Sequence, residues 1–283
     1  MSYTTLVSSQ TLLAHLNDPD WVIFDVRHDL GDLAAGRAAW QAGHIPGAIF
    51  LHMDEDLSAA KTGLNGRHPL PDRAGFATKM AQFGVSSQTQ VVVYDAQGGM
   101  MAARLWWMLR WLGHAHVAVL DAGFPAWQGL GGPLTTEATP VRPAGDLQLA
   151  TPLASCVSSD TVLANLTTQA RLVIDARAPD RFRGENETMD PVGGHIPGAR
   201  NRFFRDNLQA DGCFKPADVL RHEFEAVLQQ TPAAAVIAQC GSGVTACHNL
   251  LALEIAGLSG AALYPGSWSE WCSDPARPIA TGS

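Results

Sequence analysis

A chain of 283 residues with 46% hydrophobic and 16% charged residues can bury a full core, which excludes disorder as its main state. Its formal net charge of −8 at pH 7 argues against a general nucleic-acid binder, because such proteins need a dense basic surface. At about 150 residues per domain, the length indicates two domains.

The candidate elements alternate along the chain between short apolar runs and longer stretches compatible with helices. The apolar runs, which we interpret as strands, lie at 21–24, 91–94, 117–120, 172–174, 235–238 and 261–263. The candidate helices lie at 8–17, 73–83, 101–113, 158–168, 216–229 and 244–256. Ser159 or Asp160 is a candidate N-cap, and Gly113 and Gly257 stand where C-terminal caps are expected. Short apolar strands between helices predict an α/β fold with open, mostly parallel sheets flanked by helices.

The sequence also repeats itself. The hexapeptide Gly-His-Ile-Pro-Gly-Ala occurs at 43–48 and 194–199, and each copy follows an Asp-x-Arg triplet, at 25–27 and 175–177. This repeat predicts a tandem duplication. The predicted domains are 1–145 and 146–283, with a proline-rich linker at 132–155. Residues that recur in both halves are expected to support the fold: Arg27, His44, Arg177 and His195.

Membrane, secretory and metal-binding signals are lacking in the sequence. No apolar run approaches the roughly 20 residues of a membrane span. The first nine residues lack the basic segment and the apolar segment of a signal peptide, so we expect a cytoplasmic protein. Five cysteines without a C-x-x-C pair predict neither a disulfide framework nor a structural zinc site, and no metal is expected.

The loop from Cys240 to Thr245 carries the strongest chemical signal. It follows a predicted strand and precedes a predicted helix, the place where parallel sheets bind ligands. A helix N-terminus stabilises a thiolate, and Gly241 and Gly243 let backbone N–H groups turn inward. The pattern favours a nucleophilic Cys240; the alternative is a buried structural cysteine. The equivalent first-half loop begins with Asp95, which predicts a catalytically silent first domain that forms one wall of the site.

These features together resemble the tandem-rhodanese sulfurtransferases. The resemblance rests on the paired repeats, on a Cys loop in the second half alone, and on Gly-Ser-Trp-Ser-Glu-Trp at 266–271. The uncharged loop Cys-Gly-Ser-Gly-Val-Thr is similar to that of members acting on 3-mercaptopyruvate, whereas thiosulfate-preferring members carry basic residues there. The resemblance implies two tandem rhodanese-like domains. It also implies a relay in which Cys240 takes sulfur from 3-mercaptopyruvate, releases pyruvate, and passes the sulfur to thioredoxin, another thiol or cyanide. No organic cofactor is implied.

The resemblance also assigns roles to residues around the loop. A Ser–His–Asp set supplies the proton for the leaving enolate, and by position it consists of Ser242, His68 and Asp54. Arg181 matches an arginine that binds the substrate carboxylate. The remaining substrate-binding positions are in the loop itself: Gly241, Gly243, Val244 and Thr245. The alternatives are a histidine without a role at 68, a solvated acidic cluster at 54–56, and a surface ion pair of Arg181 with Asp180 or Glu185.

One position departs from the family pattern. A second substrate arginine is expected about nine residues after Arg181, where this chain reads Met189-Asp190-Pro191, and Arg183 is a candidate replacement. This departure leaves a thiosulfate:cyanide sulfurtransferase as the alternative donor assignment. A non-catalytic persulfide carrier is the alternative outside enzymes. A cysteine phosphatase is disfavoured, because Ala246 stands where its loop needs an arginine.

Overall fold

The computed structural model describes residues 2–282 and divides the chain into two compact units. Unit 1 consists of Met1–Ser58, Pro71–Leu153 and Ala210–Cys213. Unit 2 consists of Ala59–Leu70, Ala154–Gln209 and Phe214–Ser283. The units therefore follow the two halves of the sequence except for two short segments. One of these, the 59–70 segment, belongs to the unit that contains Cys240.

Unit 1 is built on a parallel five-stranded sheet in the order β1-β5-β4-β2-β3. Its strands are β1 (Leu6–Val7), β2 (Trp21–Asp25), β3 (Ala48–Phe50), β4 (Gln90–Tyr94) and β5 (Val117–Leu120). Its helices are α1 (Ser9–Ala14), α2 (Ala35–Ala42), α3 (Arg73–Gln82), α4 (Ala102–Leu112) and α5 (Gly123–Gly129). Every residue of β2, β4 and β5 is buried, as expected for strands covered on both faces.

Unit 2 repeats this architecture with the strand order β6-β10-β9-β7-β8, again all parallel. Its strands are β6 (Ser155–Cys156), β7 (Leu172–Asp175), β8 (Arg200–Asn201), β9 (Val236–Gln239) and β10 (Ala262–Leu263). Its helices are α6 (Ser159–Thr168), α7 (Pro179–Arg183), α8 (Ala217–Leu228), α9 (Thr245–Ile255) and α10 (Ser267–Trp271), with 3₁₀ turns at Phe204–Asn207 and Ala233–Ala235. The central strand β9 ends directly before Cys240, at the edge where ligand sites of such sheets lie.

The predicted fold class is confirmed, and all six predicted strands and six predicted helices are present. The strands β1, β3, β6 and β8 and the helices α2, α5, α7 and α10 were not predicted. These strands are edge strands of two or three residues without the continuous apolar run of a central strand, and these helices of five to eight residues show no clear helical period. The N-cap of α6 is Ser158, whose hydroxyl accepts the Thr161 N–H, so the predicted Ser159 or Asp160 is wrong by one or two positions. Gly113 caps α4 with a φ of 94°, as predicted.

The repeated motifs hold each sheet together in the same way. The Arg27 guanidinium donates to both carboxylate oxygens of Asp25 and, at 2.8 Å, to the Gly43 carbonyl of the hexapeptide. In unit 2, Arg177 makes the equivalent bonds to Asp175 and, at 2.7 Å, to the Gly194 carbonyl. A buried charge is stable only when it is paired and hydrogen-bonded. These arginines therefore support the fold, as expected.

The end of the predicted linker is attached to unit 1. The N–H of Ala150 donates to the Leu112 carbonyl, and the N–H of Leu153 donates to the Arg110 carbonyl. The compact units change over between Leu153 and Ala154, further along the chain than the predicted boundary at 145/146. Within residues 2–282, no helix has the length and apolar character needed to cross a membrane.

A buried histidine in unit 1 makes its stability depend on pH. Burial lowers the pKa of His114, which is 3% exposed, from 6.5 to about 4. The unfolded chain therefore takes up this proton first on acidification, and stability is lost as the pH falls from about 7 towards 4. We expect the His114 contribution to the free energy of unfolding to fall by about 2 kcal/mol between pH 7 and pH 5. Urea unfolding at the two pH values, compared with His114→Gln, measures it; an equal pH dependence in both proteins would contradict the prediction.

Candidate active site

Cys240 begins a loop that is held from several sides within unit 2. Its N–H donates to the Ser267 hydroxyl at 3.0 Å, and its carbonyl accepts the Trp268 N–H at 2.9 Å. The Gly243 N–H turns back and donates to the Cys240 sulfur at 3.1 Å. Cys240 is 1% exposed, so this hydrogen bond acts in dry surroundings, where electrostatic interactions are stronger than in water. A backbone N–H donor of the loop is therefore directed at the sulfur.

The two loop glycines have different surroundings. Gly243 has a φ of 79°, a conformation that L side chains rarely adopt, and a Cβ there would overlap the Pro265 carbonyl. A Cβ on Gly241 would lie 2.8 Å from Nη2 of Arg67 and 3.7 Å from Nη2 of Arg181. Position 243 thus needs glycine for its backbone conformation, whereas position 241 faces two guanidinium groups.

Val244 and Thr245 stand at the start of α9, as predicted, with Val244 as N-cap and Thr245 as the first helical residue. Further along the helix, Cys247 is fully buried and its thiol donates to the Gly243 carbonyl at 3.3 Å. Cys247 is therefore packed behind the loop, as a structural residue would be.

Ser242 and His68 meet in unit 2. The Ser242 hydroxyl lies 2.8 Å from Nδ1 of His68, and the two residues are 6% and 5% exposed. His68 is carried by the 59–70 segment, which is attached next to it by the Arg67 N–H donating to the Ser269 hydroxyl at 3.0 Å. The catalytic roles of both residues stay predictions.

Arg181 is bound by carboxylates that the sequence analysis did not name. Its guanidinium donates to both oxygens of Glu187, at 2.8 and 3.0 Å from Nη2, and reaches Asp190 at 3.4 Å. Glu185 instead binds Arg183 through two hydrogen bonds. The alternative of a surface ion pair of Arg181 with Asp180 or Glu185 is therefore wrong, and the role of Arg181 in binding substrate stays a prediction. Arg183 binds Glu185 rather than the carboxylates that bind Arg181.

Arg67 is the residue that the sequence analysis missed. Its Nη1 forms an ion pair with Asp190, which is one of the two carboxylates that bind Arg181. The only available sequence signal was its place beside His68, which gave no reason to bring it to residue 190.

Burial and ion pairing shift the pKa values of this charged group in opposite directions. Burial raises the pKa of the Asp190 carboxyl, against the opposing charge of Arg67. Burial acts in the same direction on Glu187, but hydrogen bonds from Arg181 and from two backbone N–H groups lower its pKa overall. Burial lowers and the Asp175 charge raises the pKa of Arg177, and the net shift is upward.

Two other cysteines, Cys213 and Cys272, are poorly suited to nucleophilic chemistry, and neither is part of a disulfide. Burial, followed by the charge of Asp190, raises the pKa of Cys272 to about 11. Burial and the charges of Asp121 and Asp211 raise the pKa of Cys213 to about 11. Because the thiolate is the reactive form, these thiols are inert near neutral pH.

Asp54 lies in unit 1, where its Oδ2 is 3.9 Å from Nε2 of His28. Its side chain is 16% exposed, so it is not part of a solvated cluster; its role in the Ser–His–Asp set stays a prediction. Candidate metal-ligand atoms of His28, His52 and Asp54 lie within 4.8 Å of one another. However, Nδ1 of His52 accepts backbone N–H groups and its Nε2 contacts the Leu33 carbonyl, so both ring nitrogens are engaged.

In the equivalent loop of unit 1, backbone N–H groups surround a negatively charged side chain. The fully buried Asp95 carboxylate accepts four backbone N–H groups, from Gln97, Gly99, Met101 and Ala102. A carboxylate thus occupies the position where unit 2 carries the Cys240 sulfur, which supports the interpretation of both loops as anion cradles. It also agrees with a unit 1 loop that has no nucleophile.

Comparisons with known proteins agree with this geometry. The rhodanese-like domain family matches residues 8–130 and 158–274. The chain is 46% identical, over the full length of both proteins, to a probable 3-mercaptopyruvate sulfurtransferase from Pseudomonas aeruginosa. It is 39% identical to a putative thiosulfate sulfurtransferase from Mycobacterium tuberculosis, covering 92% of this chain and 91% of that protein.

A structural comparison extends the agreement to the fold. The crystal structure of the 3-mercaptopyruvate sulfotransferase SseA from Escherichia coli superposes with a TM-score of 0.81 at 33% identity, covering 94% of this chain and 99% of that one. Two matched domains, a full-length relative and the solved structure point to one family. The chain belongs to the rhodanese-like domain family and is a sulfurtransferase built from two tandem rhodanese domains.

Proposed function

We propose that the protein moves sulfur from 3-mercaptopyruvate through a Cys240 persulfide to a thiol acceptor or cyanide, and releases pyruvate. The observation that carries this proposal is the uncharged loop of Cys240, in which Ser242 contacts His68 two residues after the nucleophile. The relative from Pseudomonas aeruginosa, which is named for 3-mercaptopyruvate, supports the same donor.

In the first step, the Cys240 thiolate attacks the donor sulfur and forms an S–S bond while the donor C–S bond breaks. The bond electrons leave with the carbon as the enolate of pyruvate, which takes up one proton to become pyruvate. The sum is enzyme thiol plus 3-mercaptopyruvate to enzyme persulfide plus pyruvate. Dividing the transfer into two covalent steps replaces one difficult reaction by two easier ones.

The proton for the enolate comes from the Ser242–His68 pair in this proposal. The hydroxyl lies 2.8 Å from Nδ1 of His68 and stands two residues from the sulfur, so it can donate a proton and be reprotonated by the imidazole. Asp54 is proposed to stabilise the imidazolium form of His68. Arg181 is proposed to bind the donor's carboxylate through Nη1, since its Nε and Nη2 donate to Glu187 while Nη1 faces the Cys loop at Gly241.

In the second step, an acceptor removes the outer sulfur and regenerates the Cys240 thiolate. A monothiol becomes a persulfide, a dithiol such as that of thioredoxin becomes a disulfide with release of hydrogen sulfide, and cyanide becomes thiocyanate. We propose these acceptors as a class and the cytoplasm as their location.

Thiosulfate is the second candidate donor, and the relative from Mycobacterium tuberculosis named as a putative thiosulfate sulfurtransferase favours it. Steady-state assays with cyanide as the common acceptor separate the two. We expect kcat/KM for 3-mercaptopyruvate to exceed that for thiosulfate by at least about tenfold. A preference for thiosulfate would contradict the proposed donor. Persulfide transfer without any pyruvate release would instead support a carrier module.

A further inference from the structure

We propose that Arg67 is a second guanidinium that binds the anionic end of the sulfur donor, together with Arg181, and that Asp190 holds it in place. This inference rests on the proposed function in requiring an anionic donor at Cys240, whether the anion is a carboxylate or the sulfonate-like end of thiosulfate.

Both guanidinium groups face the residue that follows the nucleophile. A Cβ on Gly241 would lie 2.8 Å from Nη2 of Arg67, and 3.7 and 3.8 Å from Nη2 and Nη1 of Arg181. The space that a side chain at position 241 would need is therefore occupied by guanidinium groups. The Cys loop itself carries no charged residue. The positive charge beside Cys240 comes from Arg67 and Arg181, which lie on two other segments of unit 2.

Arg67 is held rigidly enough to serve as a recognition group. Its own N–H donates to the Ser269 hydroxyl at 3.0 Å, and the next residue, His68, contacts Ser242. Before it, Gly66 has a φ of 80°, and a Cβ there would lie 2.7 Å from the Gly266 carbonyl oxygen. Contacts on three consecutive residues fix this part of the chain against the loop and α10.

The charges are arranged with the carboxylates inside and the guanidinium groups outside. The side chains of Glu187 and Asp190 are 4% and 3% exposed, whereas those of Arg181 and Arg67 are 20% and 26% exposed. Asp190 takes Nη1 of Arg67, and Glu187 takes Nε and Nη2 of Arg181. Nη2 of Arg67 and Nη1 of Arg181, which both lie near Gly241, are left to donate to a ligand anion.

This arrangement accounts for the departure noted in the sequence. Asp190 stands nine residues after Arg181, where the family pattern has an arginine. Here that position carries the opposite charge and binds an arginine that comes from the 59–70 segment. The number of guanidinium groups beside the loop is thereby kept at two.

The test compares Arg67→Gln with Arg37→Gln in the full-length protein. Arg37 is a matched control because it also forms a single hydrogen bond to a carboxylate, that of Glu55, but it is 50% exposed and lies in unit 1, outside this group. We expect Arg67→Gln to raise KM for 3-mercaptopyruvate about 10- to 100-fold with kcat changed less than about threefold, whereas Arg37→Gln leaves both values unchanged. An unchanged KM, or a fall in kcat alone, would overturn the inference.

A second measurement does not depend on turnover. Cys240 is alkylated with iodoacetate, which carries a carboxylate, and with neutral iodoacetamide, and the modified peptide is quantified by mass spectrometry. We expect Arg67→Gln to lower the ratio of the iodoacetate rate to the iodoacetamide rate about tenfold. An unchanged ratio would show that Arg67 does not bind anions at Cys240.

The donor assignment and this inference fail separately. If the unsubstituted protein prefers thiosulfate, the proposed donor is wrong, and the inference is decided by KM for thiosulfate. A rise in that KM in Arg67→Gln supports the inference, and an unchanged value overturns it.

Discussion

Replacement of Cys240 by serine is expected to abolish pyruvate release from 3-mercaptopyruvate, with turnover lowered at least about 10³-fold. A serine hydroxyl is not ionised near neutral pH and cannot form a persulfide, so both half-reactions lose their carrier. The hydroxyl can still accept the Gly243 N–H that now reaches the sulfur at 3.1 Å, so the loop should keep its conformation. The measurements are pyruvate release and the intact mass after incubation with the donor.

The control for this variant is Cys247→Ser. Cys247 is equally buried and its thiol contacts the Gly243 carbonyl, but it does not follow the strand at the ligand-binding edge. Unsubstituted protein and Cys247→Ser should gain the mass of one sulfur atom, and Cys240→Ser should not. A persulfide that persists in Cys240→Ser would show that another thiol carries the sulfur.

Ser242→Ala is expected to lower kcat for 3-mercaptopyruvate about 10²-fold while leaving KM within about threefold. The hydroxyl is the group that joins His68 to the Cys loop, so its loss leaves the enolate without a positioned proton donor. His68→Gln should lower kcat to a similar extent, and the double variant should be no slower than either single variant, because the two residues act as one unit.

An exposed serine provides the comparison for Ser242→Ala. Ser259→Ala removes a hydroxyl that bonds only to Glu254 on the surface and should leave kcat unchanged. Unchanged turnover of Ser242→Ala at saturating 3-mercaptopyruvate would sink the proton-relay assignment. It would leave the persulfide chemistry of Cys240 intact, because that step needs only the thiolate.

The order and boundaries of the main elements could be predicted because they depend on local patterns. Continuous apolar runs marked the buried strands β2, β4, β5 and β9, and the repeated hexapeptide marked the duplication. The edge strands and short helices were not predicted, because they lack the continuous apolar runs of the central strands and show little periodicity. Their formation depends on the neighbouring strand or loop that they contact.

Part of the candidate site was equally predictable. Cys240 and its glycines form one continuous motif, and the strand, loop and helix around it follow from the same stretch of sequence. Ser242 and His68 were paired by resemblance, and their contact spans 174 positions along the chain. No spacing rule within the sequence reports a contact of that kind.

The sequence by itself determined the duplication, the α/β architecture of each unit, and the presence of the Cys240 loop in the second half alone. Composition, hydrophobic period and repeats carry this information, and all of them act over short distances in the chain. Only the tertiary structure decided the partners of the charged residues. Arg67 and Asp190 are 123 positions apart, and a favourable ion pair between them forms only when folding of unit 2 brings the 59–70 segment beside the Cys loop. Position 190, where the family pattern has an arginine, therefore carries the carboxylate that binds Arg67.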